Sequence, residues 1–515
     1  MNQGPVSVAH GPAGPVIYEI HTWLWLDELS RAAGCPITLG DVPESEWERL
    51  AALAIDAVWL MGVWERSPVG TEMARRTVAA STEDMGRIAA DLPAPFTPDL
   101  VVGSPYCIRG YAPDGRMGGF AGLEVARHQL RRRGLKLFLD FVPNHVAPDH
   151  AWAAEHPDYL MGGDEGELER HPNEFTRVGD RVFAFGRDPY SDPWTDVLQV
   201  NTFYPGVRAD TVELLSTMAG YCDGVRCDMA MLAINEIFRN TWGPRAGPVP
   251  PREYWSGLIR AVHDTHPDFV FIAEAYWDRE WELLQQGFDY CYDKVLYDRL
   301  RSGDATAVRL HLNADISYQQ RLVRFIENHD ESRSAAVMGK EAARAAAVTI
   351  ATLPGATLYY DGQFEGCRSR LPVSLGRRAR EPADVELEDF YTRLLTAARS
   401  VRAGEWRLCR VAGWPDNDSN RNIVAWSWTT ADATFVVAIN FSDRAAQGEV
   451  HFPWQRLRSQ PGPGPQPGPG PQPGPIVFSD LLSGQSYQGD PSELRDRGVY
   501  VALGPHGFHL LRLPV

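Results

Sequence analysis

Cysteine is scarce in this chain and carries no pattern: seven residues in 515, at positions 35, 107, 222, 227, 291, 367 and 409, with no CxxC and no Cys/His spacing. That scatter excludes a disulfide framework and a zinc site, and leaves the thiols as reduced packing residues. Long apolar runs are also missing. No stretch is apolar enough to span a bilayer, and residues 1–14 lack the basic-then-apolar leader of a secretory signal. A cytoplasmic protein without a membrane partner is the expectation. Positive charge is the third deficit, with 50 Lys and Arg against 67 Asp and Glu and a formal charge of −17. Nucleic acid and anionic membrane both demand a basic surface, so neither is expected as a partner.

What remains is ordinary globular material, 44% hydrophobic over a length that suits two or three domains. Short β-type runs alternate with amphipathic stretches from about residue 16 to about residue 400, the pattern of βα units around a parallel sheet. Candidate strands fall at 16–20, 57–61, 136–141, 224–228, 270–274, 288–290, 324–328 and 357–360, the number that closes a TIM barrel. Between them, Trp47, Leu50 and Ala54 recur at helical spacing, as do Leu123, Ala126 and Leu130 ahead of a helix-ending Gly134. The interval from Asp140 to Asp228 far exceeds the roughly 30 residues of a minimal βαβ unit. Residues 146–205 therefore read as a loop-rich domain inserted after strand three over the catalytic face. Past residue 400 alternating runs at 423–428, 435–441, 499–503 and 508–513 predict a small antiparallel β-domain. The expected fold is α/β: a (β/α)8 TIM barrel from residues 1–145 and 206–400, the insert at 146–205, and a C-terminal antiparallel β-sandwich at 401–515. Its Pro/Gly-rich stretch at 460–475 should be an exposed polyproline-like loop.

Three acids sit at the ends of apolar runs, in Gly224-Val225-Arg226-Cys227-Asp228, Phe271-Ile272-Ala273-Glu274 and Phe325-Ile326-Glu327-Asn328-His329-Asp330. Barrel enzymes carry their chemistry at the C-terminal ends of their strands, so these carboxyls should share one rim. Period two puts Arg226 and Asp228 on the inner side and turns Cys227 outward. A guanidinium beside Asp228 should keep it ionised as a nucleophile, while a second acid nearby, Glu274, should have its proton affinity raised as a general acid needs. His145, His329 and the aromatics Tyr106, Tyr111, Trp277 and Phe203 offer hydrogen bonds and ring faces to a polyhydroxylated ligand.

At these residues the chain resembles the α-amylase family, glycoside hydrolase family 13. Asp140-Phe141-Val142-Pro143-Asn144-His145, Gly224 to Asp228, Ala273-Glu274 and Asn328-His329-Asp330 look like its first four motifs, in order, on strands three, four, five and seven. The resemblance covers nearly the whole chain and implies a retaining double displacement at an α-glucosidic bond. Asp228 would attack the anomeric carbon, Glu274 would serve as acid and then base, and Asp330 would stabilise the oxocarbenium-like sugar. Arg226 would orient Asp228, Tyr106 would stack under the ring, and His145 and His329 would bond its hydroxyls. In the family's second motif a Lys-His pair serves the acceptor side and, through the His, a structural calcium. Met231 and Leu232 stand there in this chain, and Gln199 takes the place of a calcium-binding Asp. No metal or other cofactor is therefore expected, and the acceptor side should be less polar than in a starch-liquefying amylase.

The function that follows is hydrolysis of α-1,4-glucans or maltooligosaccharides through a covalent glycosyl-enzyme. Glycosyl transfer from the same intermediate, giving a glucanotransferase or isomerising enzyme, is the alternative, because water and a sugar acceptor compete for one species. A catalytically inactive α-amylase-like scaffold is the second alternative.

Overall fold

The computed structural model describes residues 13–80, 97–453 and 475–514. The expected Pro/Gly loop at 460–475 lies, apart from Pro475, outside the described residues. Eight parallel strands close a barrel in sequence order: β1 (Ala13–His21), β2 (Ala57–Met61), β3 (Lys136–Phe141), β4 (Gly224–Cys227), β5 (Val270–Ala273), β6 (Tyr290–Tyr292), β7 (Leu322–Arg324) and β8 (Gly355–Tyr360). Closure comes from β1, whose Ile17 faces Ala57 of β2 on one side and Leu358 of β8 on the other. Alternate side chains divide two cores, as a two-residue period dictates. Ile17, Trp59, Phe138, Ile272, Tyr292, Val323 and Leu358 fill the interior, while Tyr18, Val58, Leu139, Val225, Cys227 and Cys291 face the helices. Helix Glu44–Ala52 shows how that outer layer is held: Trp47 and Leu50 are 1% and 0% exposed, and Trp47 meets Trp25 edge-on at 5.6 Å. Burying each such side chain contributes roughly 1.5–3 kcal/mol.

Two strands lie off their expected positions. The sixth, expected at 288–290, is Tyr290–Tyr292, because Asp289 spends both its N–H and its carboxylate on the Phe271 backbone and caps the start of the ladder. The seventh, expected at 324–328, is Leu322–Arg324. Phe325 and Ile326 continue the alternation of burial, inward and outward, after the ladder has ended. Apolar pattern there reports packing rather than strand pairing.

The stretch expected as loop-rich, 146–205, carries regular structure. His145–Val146, Gly162–Gly163, Phe175–Val178, Arg181–Gly186 and Trp194–Gln199 form a five-stranded antiparallel sheet, and His145 already belongs to its first strand. Val146, Leu160, Phe183 and Leu198 make a separate small core beneath it.

Beyond helix Val385–Val401 come β9 (Glu405–Ala412), β10 (Ile423–Thr429), β11 (Ala433–Asn440), β12 (Ala446–His451), β13 (Ile476–Asp480), β14 (Ser486–Gly489), β15 (Val499–Leu503) and β16 (Phe508–Pro514). They pair antiparallel in the order β14-β13-β16-β11-β10-β9-β12-β15. Phe478 of β13 and Val499 of β15, from opposite ends of that path, share one core with Val436 and Leu511. The other face, with Trp426, Trp428 and Val437, packs on the barrel's helices. Both indoles donate to one acceptor, the Thr352 carbonyl at the end of helix Lys340–Thr352, at 3.1 and 2.7 Å. Among the described residues no helix is long and apolar enough to cross a membrane.

Candidate active site

Arg226 is the hub. Fully buried at 1% exposure, it lies inside the barrel mouth with its guanidinium 5.5 Å from the Trp59 ring, 5.2 Å from Tyr106 and 5.9 Å from Tyr292. Its Nη1 donates to Asp228 Oδ1 at 2.6 Å, and its Nη2 is 2.7 Å from Glu274 Oε2 and 4.0 Å from Asp330 Oδ2. The three acids are thus gathered round one cation. The ladders of β4 and β5 stop one residue before Asp228 and Glu274, at Cys227 and Ala273, so each of these two begins a turn while its own N–H still bonds the neighbouring strand: Asp228 to Phe141 and Glu274 to Cys227, at 2.8 and 3.0 Å. Asp330 lies farther on, in the turn well past the end of β7 at Arg324, where its N–H bonds Asn328 Oδ1 at 2.9 Å.

The turn after β4 is strained. Met229 has φ of 42°, a left-handed conformation that costs a side-chain-bearing residue of order 1–3 kcal/mol. What it secures is a 2.5 Å bond from the Met229 N–H to Glu274 Oε2. The other oxygen, Oε1, accepts from the Tyr276 hydroxyl at 2.9 Å. Trp277 and Asp278, just beyond, are also at positive φ, and Trp277 is exposed on the rim, edge-on to the exposed Tyr190 ring at 4.8 Å.

Environment separates the three acids. Burial, reinforced by the charges of Asp228 and Asp330, pushes Glu274 up to about 7 against the pull of Arg226. Asp228 is pushed up by burial too, and the Arg226 ion pair and hydrogen bond draw it back. The expectation that Arg226 works to keep Asp228 ionised describes one of two opposed forces. Asp330 is different: burial works upward, but the His329 ring, by charge and hydrogen bond, and Arg226 together hold it at about 2. Its side chain is 42% exposed, so water reaches it from the mouth and screens both influences. One acid poised near neutrality beside another that stays anionic is the division of labour an acid/base pair requires.

His329, 3% exposed, sits 2.9 Å from Asp330 and 2.7 Å from the Tyr106 hydroxyl through Nε2. Tyr106 stacks on its ring at 5.5 Å. Thus Tyr106, Arg226, Asp228, Glu274, His329 and Asp330 form one connected cluster. His145 stands to its side, buried, edge-on to Trp194 at 5.2 Å, hydrogen-bonded to the Tyr106 backbone, and lowered to about 4 by burial, which keeps it neutral. Of the other aromatics, Tyr111 ties the Val142 backbone through its hydroxyl, and Phe203 packs on Phe238 in the insert's core, away from the cluster. Met231 and Leu232, expected beside the acceptor, are 0% and 3% exposed and belong to the core between barrel and helices. They fill space and set no polarity on the cleft.

Two residues of the site, Glu19 and Tyr276, escaped the sequence reading, and a third, Asp140, stood in it only as the head of the first motif, without a role. Glu19, 0% exposed in the middle of β1, lies 2.5 Å from His329 Nδ1. Tyr276 bonds the acid Glu274, and Asp140 accepts from the Gly62 N–H at 2.8 Å while its other oxygen has no hydrogen-bond partner. An acid inside the apolar run Val16-Ile17-Tyr18-Glu19-Ile20 was the available signal for the first.

The residues at the family's calcium position do not fit a hard cation, which wants six or more oxygens. The Gln199 amide nitrogen donates to Asn144 O and Oδ1, both at 2.9 Å, and to Val200 O at 3.1 Å. Its oxygen accepts from the Arg187 N–H at 3.2 Å and from Asn144 Nδ2 at 3.4 Å. The Gln199 amide thus presents an N–H donor, not a further oxygen ligand, to these three oxygens.

No protein-family model matches the chain. Among curated proteins it is 26% identical to the α-amylase MalA of Haloarcula japonica over 446 residues, 83% of this chain and 55% of that protein. It is 24% identical over 454 residues to α-1,4-glucan:maltose-1-phosphate maltosyltransferase 1 of Streptomyces coelicolor, 82% of this chain and 59% of that one. The chain thus spans little more than half the length of these relatives. Among solved structures, a maltogenic α-amylase, AmyB, of Thermotoga neapolitana superposes with a TM-score of 0.66 at 17% identity, over 97% of this chain and 99% of that one. An α-amylase of Lactobacillus plantarum gives 0.64 at 18%, over 97% and 98%. Sequence and fold together match the broad α-amylase and maltosyltransferase superfamily, glycoside hydrolase family 13.

Proposed function

From that kinship we propose that the protein is a retaining glycoside hydrolase acting on α-glucosidic bonds of α-1,4-glucans or maltooligosaccharides. The observation that carries the reading is the single guanidinium bonded to two carboxyls, Asp228 through Nη1 and Glu274 through Nη2. Adjacent nitrogens of one Arg hold their partners close, which suits the separation of about 5 Å used by retaining enzymes rather than the about 6.5–9.5 Å of inverting ones. Asp228 attacks the anomeric carbon and forms the glycosyl-enzyme. Glu274, protonated below about pH 7, gives its proton to the leaving oxygen and then takes one from the incoming water. Asp330, anionic at the mouth, stabilises positive charge on the ring during both steps. Tyr106 and His329 line the sugar's face and hydroxyls, with His145 supporting Tyr106 from behind. No divalent cation is required on this reading, which the Gln199 amide supports. Seven free thiols, five of them buried, support a reducing, cytoplasmic compartment.

Transfer by the same site is the second reading, favoured by the maltosyltransferase relatives. A ladder of maltooligosaccharides separates the two: shorter products alone indicate hydrolysis, and longer products or a new linkage appearing together with them indicate transfer. No turnover of any α-glucan returns the protein to the scaffold reading, and an Asp228→Asn variant as active as the parent refutes the nucleophile assignment.

A further inference from the structure

A buried imidazole wedged between two carboxylates has a proton count fixed by geometry. Glu19 Oε1 lies 2.5 Å from His329 Nδ1 on one side, and Asp330 Oδ2 lies 2.9 Å from Nε2 on the other. Glu19 comes from the first barrel strand and His329 from the turn after the seventh, 310 residues apart. A neutral ring has a single N–H. On the Glu19 side, 0% exposed, a bare Nδ1 lone pair against the carboxylate would be an uncompensated buried contact, so Nδ1 carries a proton; on the Nε2 side Asp330 at 2.9 Å competes with the Tyr106 hydroxyl at 2.7 Å, and a charged carboxylate draws the N–H more strongly than a neutral hydroxyl. The second Glu19 oxygen has no hydrogen-bond partner, so the negative charge of this fully buried acid is answered by His329. Trp59, edge-on at 5.6 Å, and Tyr106, stacked at 5.5 Å, fix the plane of the ring so that it cannot turn away.

We propose that Glu19 is a positioning residue that keeps His329 as a doubly donating imidazolium, and thereby holds the Asp330 carboxylate anionic and aimed at the sugar site. The part concerning the sugar rests on the function proposed above, whereas the proton count does not. Every charged neighbour of the ring enters the balance. Asp330 and Glu19 touch it, and Asp140 of β3 and Asp228 after β4 add negative potential. Arg226, through Asp330, opposes them, while His21 at the end of β1 is held neutral, lowered to about 3 by burial, and the Tyr106 hydroxyl is neutral. Burial disfavours the charged ring, and the two touching carboxylates outweigh it. His329 in this arrangement is a fixed cation, unlike an ordinary exposed histidine that titrates near about 6.5.

The test reads the ring directly. Protein labelled with 15N in its histidine rings is followed by long-range 15N–1H correlation, with the His329 signals identified as those missing from His329→Asn. The parent should show both ring nitrogens protonated at about pH 8, well above an unperturbed histidine. In Glu19→Gln, whose amide oxygen can still accept from Nδ1 but carries no charge, the neutral pattern should appear at least about one pH unit lower. A parent His329 that is neutral at about pH 7, or a proton found on Glu19 with a single ring N–H, overturns the proposal. So does a Glu19→Gln protein whose ring stays doubly protonated as high as the parent's. The parent measurement stands even if the variant fails to fold. Neither needs substrate, so a failed proton count is distinguishable from a wrong assignment of the reaction.

Discussion

Replacing Arg226 by Leu tests how the barrel mouth tolerates its buried charge. The substitution keeps much of the apolar bulk and removes the cation that answers Asp228 at 2.6 Å and Glu274 at 2.7 Å. Breaking a buried pair by deleting one partner costs about 3–5 kcal/mol, because a charge is left uncompensated. Here the carboxyls have an escape, since each can take up a proton. In the parent, Glu274, raised to about 7, already favours folding in its protonated form. That contribution is complete below its unfolded value of about 4.3 and is lost as pH rises through about 7. The variant strengthens the same behaviour at Asp228, which burial already raises in the parent and which without Arg226 loses the ion pair that draws it back. The difference between variant and parent therefore changes by up to about one proton, or about 1.4 kcal/mol per pH unit at most. Near pH 7 the loss should be about 3–5 kcal/mol, and near pH 5 it should be smaller, by at most about 3 kcal/mol, leaving a remainder from lost packing around Trp59, Tyr106 and Tyr292. Urea midpoints followed by tryptophan fluorescence at the two pH values measure both numbers. An equal loss at both would show that Arg226 acts through packing alone, and the electrostatic account of the site would fall.

Three other outcomes follow from the same geometry. Activity of the parent should decline as pH rises through about 7, where Glu274 gives up its proton, and Glu274→Gln should lose far more rate on poor leaving groups than on activated aryl glucosides; equal losses would remove its role as acid. Chelator should leave the melting midpoint and the activity of the parent unchanged, whereas Gln199→Leu, which strands three carbonyl-type oxygens and the Arg187 N–H, should cost about 1–3 kcal/mol in urea unfolding; a midpoint that falls with chelator refutes the cation-free junction. Met231→Lys should destabilise by more than 2 kcal/mol or so, because it puts an ammonium into a 0% exposed core position, and should leave product ratios of any folded fraction as they were; a soluble, stable variant with a new product spectrum would place residue 231 on the cleft after all.

The barrel was legible because its strands are buried on both faces and end in acids, so short apolar runs closed by Asp228 and Glu274 marked both the ladder and the rim. Arg226 followed from period two. Less of β6 and β7 could be read, since burial outlasts pairing at Phe325 and Ile326 and precedes it at Phe288. The insert's sheet was hidden for a different reason: some of its strands are two residues long, as at Gly162–Gly163, too short for any periodicity to register. Glu19 shows the limit for the site. Its partner is 310 residues away, and only closure of the barrel brings the first strand beside the turn that follows the seventh. Met231 and Leu232 show the converse error, where position next to a motif was read as access to the cleft although the short helix Ala230–Ala233 turns them into the core.

The paired indoles of Trp426 and Trp428 bear on how such a chain can change over generations. A carbonyl oxygen offers two lone pairs, and at Thr352 both are taken by the neighbouring domain, at a helix end that would otherwise leave that group unanswered. Arg402, between helix Val385–Val401 and β9, adds a second tie at the same end of the barrel, to the Gly14 and Gly355 carbonyls at the starts of β1 and β8. The terminal sheet is in consequence no detachable module. Shuffling it onto another barrel would require a matching helix end and a matching pair of indoles at once, so this sheet is expected to travel with its barrel and to diverge only together with it.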